Sequence, residues 1–92
     1  LSCGILSPPD HSIRITNVYA DLSNVSVGTV SYGTITTNTT TGYKSVDEGT
    51  HSLSGSSGSA ALTGSVTVQG NGEHNWTITI SSSGSLTMKE DK

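Results

Sequence analysis

Apolar and polar positions alternate along much of the chain, most plainly at Val66-Thr67-Val68 and Trp76-Thr77-Ile78-Thr79-Ile80. In a pleated strand successive side chains point to opposite faces, so this period puts the apolar residues on one face and the threonines on the other. In a helix the same spacing would scatter the apolar residues around the cylinder. No segment carries a sustained apolar period of about 3.6 residues, so no helix longer than one turn is expected. The alternating runs cover residues 12–18, 24–30, 31–36, 43–46, 50–53, 60–69, 74–81 and 85–89. Turn residues punctuate them at a spacing of about eight to twelve, which predicts an all-β, immunoglobulin-like antiparallel two-sheet sandwich.

The inward set read from this pattern is Ile13, Ile15, Val25, Val46, Leu62, Val66, Val68, Trp76, Ile78 and Ile80, with Ala60, Leu86 and Met88 on the same faces. Gly28 is expected to mark a bend or bulge. Asp47-Glu48-Gly49 reads as a tight turn, Gly70-Asn71-Gly72 as a hairpin turn and Ser82-Ser83-Gly84 as another. Residues 54–59, rich in Ser and Gly, read as a flexible connection. Residues 37–41 fit either a strand edge or a loop. Residues 1–11 read as an N-terminal tether, stiffened by Pro8-Pro9, which supply no backbone donors to a sheet. Residues 12–92 then form a single domain, near the lower size limit for folding unaided.

Composition sharpens the picture. Hydrophobic residues are 30% of the chain and Phe is absent, against a usual apolar share of about 45–50%. The core must therefore be thin and aliphatic. Low hydrophobicity accompanies disorder when charge is high, but charged residues are only 12% here. Ser and Thr fill the gap, roughly a third of the chain, and branched Thr suits a pleated surface. The net charge is −3, and Arg14, Lys44, Lys89 and Lys92 are scattered. Nucleic acid is thereby excluded as a partner, since phosphate binding needs clustered cations.

Cys3 is the sole cysteine, so neither an internal disulfide nor a thiolate zinc site is expected. The string Leu1-Ser2-Cys3-Gly4 places a small residue before a cysteine, as at a bacterial lipoprotein cleavage site. Lipidation of Cys3 would tie the domain to a membrane through residues 4–10; an incidental free thiol is the competing reading.

Several short strings resemble a known family. Ile13-Arg14-Ile15-Thr16-Asn17, Val30-Ser31-Tyr32-Gly33 and Gly42-Tyr43-Lys44-Ser45-Val46 with Glu48-Gly49-Thr50 are similar to a family of uncharacterised bacterial envelope lipoprotein domains, domain of unknown function 4397. His51-Ser52-Leu53, the run 62–68 and Trp76-Thr77-Ile78 fit its later strands. The segment between Val27 and Tyr32 is shorter than the family pattern, and a single copy stands where relatives often carry two. The resemblance implies a β-sandwich on an exported protein and no reaction, because a fold does not fix a function.

Candidate chemistry is sparse. Nucleophilic catalysis needs a Ser or Cys beside a base and an orienting acid. His11, His51 and His74 are the only histidines, and no Gly-x-Ser-x-Gly elbow occurs. A His51–His74 metal pair is conceivable, with exposed edge histidines the plainer reading. Asp47-Glu48 and Glu90-Asp91 lie in a turn and a tail, where solvated charge outweighs acid–base work. Trp76 reads as core by register with Ile78, and Tyr43 as a corner tyrosine tying down a connection. The outward Thr34, Thr36, Thr77 and Thr79 suggest a polar sheet face. Asn24, Asn38 and Asn75 open glycosylation-type triplets, which a chain this rich in Ser and Thr produces by chance.

The expectation is a non-enzymatic structural or interaction module on a bacterial cell envelope, lipid-anchored or secreted. It has no catalytic residues, no metal site and no cofactor, and it is a monomer. It meets a protein or glycan through strand edges or loops. The alternative is a carbohydrate-binding module stacking sugars on Tyr19, Tyr32 or Trp76.

Overall fold

The computed structural model describes residues 9–91 apart from 59 and 71, with only the backbone of Pro9. The described residues form nine strands and no helix. They are β1 (Pro9–Asn17), β2 (Leu22–Val27), β3 (Val30–Ile35), β4 (Thr39–Thr40), β5 (Lys44–Val46), β6 (Gly49–Ser57), β7 (Ala60–Val68), β8 (Gly72–Ile80) and β9 (Leu86–Glu90). The expected two-sheet sandwich is what they build. One sheet has the order β4-β1-β8-β9, with β5 pairing β1 beside β4. The other has the order β3-β2-β6-β7. All pairs are antiparallel except β1 with β8, which run parallel from Pro9↔Gly72 to Asn17↔Ile80.

Alternation fixes which face is buried. Along β1 the side chains of His11, Ile13, Ile15 and Asn17 are buried, while Ser12, Arg14 and Thr16 point outward. Their β8 partners Ile78 and Ile80 are buried with them. From the other sheet come Leu22, Val25, Val27, Tyr32, Ile35, Leu53, Leu62, Val66 and Val68. Burying each aliphatic side chain contributes about 1.5–3 kcal/mol. The predicted inward set lies in this core, with Trp76 half-buried against it. Ala60 is the exception: it is exposed at the end of β7.

Four local expectations need correction. The sheet reaches back to Pro9, into the segment read as a tether, because β8 continues beside it and supplies backbone partners. Gly28 (φ 61°) is the turn of a β2–β3 hairpin, not a bend inside one strand. Residues 54–57 are the end of β6, paired residue for residue with β7, rather than a flexible connection. Asp47-Glu48 and the link from β7 to β8 both join strands of opposite sheets, so neither closes a hairpin; Asn71 itself lies outside the described residues. Turn residues announce a change of direction, but whether the next strand pairs with the last or crosses the core depends on the whole packing.

Two buried polar side chains tie the layers together. Asn17 Nδ2 donates to the carbonyls of Ala20 (2.6 Å), Ile35 (2.9 Å) and, more weakly, Thr36 (3.4 Å). Its Oδ1 accepts from the Tyr19 amide (2.9 Å). The end of β1 is thereby fixed to the end of β3 in the opposite sheet. Tyr32, on β3, donates its hydroxyl to the Ile13 carbonyl of β1 (2.7 Å). The corner-type tie expected of Tyr43 is therefore made by Tyr32. Tyr43 is exposed and bonds Asp91.

Asn17→Ala removes the donor from the buried Ile35 carbonyl and from the part-buried carbonyls of Ala20 and Thr36. Stability by urea denaturation is expected to fall by about 2–3 kcal/mol, and a loss below about 0.5 kcal/mol would show that the clamp is dispensable. Burial pushes the Tyr32 hydroxyl up to about 12. The folded form keeps its proton where the unfolded chain, near 10, has lost it. The stabilisation is thus complete below pH ~10 and declines as pH rises from about 10 to about 12. Tyr32→Phe should be weaker at neutral pH by about 1 kcal/mol and show a flatter alkaline decline in thermal melts.

Candidate functional site

At one end of the β1–β8 sheet three aromatic rings meet. The register His11↔His74 and Ile13↔Trp76 puts His11, His74 and Trp76 on the same inward face. The His11 and His74 rings stack with centroids 5.4 Å apart and planes 20° from parallel. The indole N–H of Trp76 approaches His11 Nδ1 at 3.3 Å. An indole nitrogen only donates, so Nδ1 accepts and the neutral ring carries its proton on Nε2. That Nε2 is buried and has no partner among the described residues. His74 Nδ1 meets Glu90 Oε2 at 2.5 Å.

Metal chemistry is the first test of such a cluster. Ligating nitrogens lie about 2.0–2.1 Å from zinc, with lone pairs in the ring plane and converging on one point. Near-parallel stacked rings aim theirs side by side. The Trp76 contact also fixes the Nε2–H tautomer, which occupies the one remaining lone pair of His11 with a proton. Among the described residues no group of three His, Cys, Asp or Glu side chains is placed to hold a metal ion. The histidine pair that the fold brings together is His11–His74, not His51–His74. His11, in the segment read as a tether, is fully buried. His51 sits elsewhere, against Gly28, with its Nε2 on the Asp47 carbonyl (2.5 Å).

The carboxylates are exposed but engaged. Asp91 accepts from Thr77 Oγ1 and from the Tyr43 hydroxyl (2.9 Å). The Thr77 hydroxyl, then that of Tyr43, holds its carboxyl below the usual range. Arg14 donates from Nε to Thr77 Oγ1 (2.9 Å) and lies 5.0 Å from the Tyr43 ring centre. Glu48 caps the Gly70 amide (2.9 Å). These contacts pin the tail and one inter-sheet corner, while Asp47, Glu48, Glu90 and Asp91 remain exposed, in keeping with solvated charge.

The aromatic residues considered for sugar stacking form no open platform. Tyr32 is buried, and Tyr19 and Trp76 are half-buried against the core. No pocket forms among the described residues. Cys3 lies outside the described residues.

The outer face of the β3-β2-β6-β7 sheet has a different character. Pairing lines up Thr50 with Thr67, Ser52 with Ser65 and Ser54 with Thr63 across β6 and β7. Ser26 lies beside Ser54 and opposite Ser31, completing a rank of hydroxyls across all four strands. Neighbouring hydroxyls bond within the rank, as Ser26 with Ser54 (3.2 Å) and Thr50 with Thr67 (2.9 Å). No Asp, Glu, Lys or Arg occurs between Glu48 and Glu73.

This sheet ends in β7, whose only pairing among the described residues is with β6. All nine residues of β7 pair without a register shift, from Val68↔Gly49 to Ala60↔Ser57. The other edges are blunted. β3 faces a bulged β2 and contains Gly33 at φ 70°. β4 and β5 span two and three residues, and β5 carries Lys44. β9 carries Lys89 and Glu90. Natural edges are protected by shortness, bulges, Pro or charge; β7 has none of these. The signal was in the sequence as the charge-free run 49–72, which composition averages conceal.

Comparison with family models, curated proteins and solved structures finds no match for the chain. The site has to be read from its own geometry.

Proposed function

We propose that the chain is a non-enzymatic interaction module of a bacterial cell envelope that captures an extended polypeptide along β7. The observation that carries this is the long, regular, uncharged edge. A strand at a sheet edge presents a row of backbone amides and carbonyls, and an added strand satisfies them. Side chains then select: the inward row of Leu62 and Val66 favours apolar partners, and the outward row of Thr63, Ser65 and Thr67 favours small polar ones. The hydroxyl face beside it offers no charge to steer or repel, so backbone pairing dominates recognition. A sugar-binding role has less support, because Tyr32, Tyr19 and Trp76 are turned into the core.

Envelope placement is supported by the low charge, the Ser/Thr-rich surface and the Leu1-Ser2-Cys3-Gly4 string. Mass spectrometry of the native protein is expected to find a diacylglyceryl group on Cys3; an unmodified thiol removes the anchor from the proposal.

Edge capture is tested by panning a displayed peptide library on the protein and mapping bound peptides by amide chemical shifts. Peptides with alternating apolar and hydroxyl residues should be enriched and should perturb β7. Replacing Thr63 and Ser65 together by Lys, both exposed, should weaken them at least about 10-fold, as edge charge does. Peptides that map to another edge, or no enrichment at all, would refute it.

A further inference from the structure

Resting on that reading of β7, we infer that its occupant is the β7 of a second copy of this chain, paired antiparallel about a two-fold axis at Gly64.

The first argument is charge. Two identical edges can pair only if like charges do not face one another, and from Ala60 to Val68 there is no charged residue. The exposed edges β5 and β9 each carry a Lys, which opposes self-pairing. β7 lacks that guard along its whole length. The net charge of −3 sits on other parts of the molecule.

The second argument is register. A two-fold axis passing between residues would face inward side chains with outward ones, so the axis must pass through a residue. Only an axis at Gly64, the middle of β7, pairs all nine residues. Leu62 of one copy then faces Val66 of the other on the core side, and Thr63 faces Ser65 on the hydroxyl side. Apolar meets apolar and hydroxyl meets hydroxyl.

The third argument is the surroundings of the axis. Leu86 of β9 reaches across from the opposite sheet, and its Cδ1 fills the space that a Cβ on Gly64 would need. Gly64 is therefore the position over which Leu86 packs. Leu86 itself remains half-exposed. With the axis at Gly64, the Leu86 side chains of the two copies come together over the paired strands and cover each other beside Leu62 and Val66. The two four-stranded sheets become one continuous sheet with a single hydroxyl face. A contact of one strand and a few apolar side chains falls in the size class of weak, transient interfaces, below about 1,200 Å².

Sedimentation of the purified chain over a concentration series tests this. Its mass should rise from 9.4 kDa toward the dimer value before about 1 mM, the weak end of measurable association. Two double variants at exposed positions read the register. In Thr63→Lys with Ser65→Lys, lysine faces lysine across the axis, and self-association should fall at least about 10-fold. In Thr63→Glu with Ser65→Lys, each Glu faces a Lys of the other copy, so association should match or exceed the parent and weaken with salt. Unchanged circular dichroism and melting would show that both variants stay folded. A chain that stays at monomer mass, or variants that dissociate equally, would overturn the inference. If selected peptides still bind β7 in that case, edge capture stands without self-pairing; if they do not, both readings fall together.

Discussion

The sandwich depends on one buried amide. Asn17 sits at the end of β1, yet its side chain bonds carbonyls of the following connection and of β3 in the opposite sheet. A core with one Trp and no Phe has few large shapes to key the two layers against each other. Small aliphatic side chains tolerate sliding, since methyl groups pack in many similar ways. Directional hydrogen bonds do not. Asn17 at one level and the Tyr32–Ile13 bond further along β1 set the offset between the sheets, and the aliphatic contacts fill the space so defined.

β1 pairs with β4 and β5 along one edge and with β8 in parallel register along the other, which places His11 beside His74 and Trp76. The cost is a buried His11 Nε2 without a partner among the described residues, a penalty of about 1–3 kcal/mol. The stack with His74 and the contact from Trp76 offset part of it. In this cluster three flat rings take the place of the branched side chains used elsewhere.

The two sheets divide the polar work. The one containing β1 and β8 displays an Arg14–Tyr43–Thr77–Asp91 network that fastens its last residues. The other displays hydroxyl ranks and the unguarded edge β7. Hydroxyls satisfy each other laterally and leave backbone groups at the edge as the strongest unpaired features. Charge on one outer surface and its absence on the other distinguish a fastened face from a receptive one.

The strand character was legible in the sequence because a period of two is a local property. Ile13, Ile15, Val66, Val68, Ile78 and Ile80 declare their face through their immediate neighbours, and the structure buries all of them. Pairing is not local. Nothing near Gly70 or Asp47 says that the next strand joins the other sheet. Nothing near Ser54 says that β7 will zip along it and order a Ser/Gly run that resembles a linker. His11 looked like the end of a tether because its partner lies far along the chain, at His74. Asn17 was visible only as a residue in a short string, since the carbonyls it binds become neighbours only after the sheets meet. The sequence by itself determined the strands, their buried faces and the scarcity of charge. The tertiary structure alone decided strand order, the inter-sheet ties and which edge stays open, because each of these depends on contacts between segments that the chain separates and only packing unites.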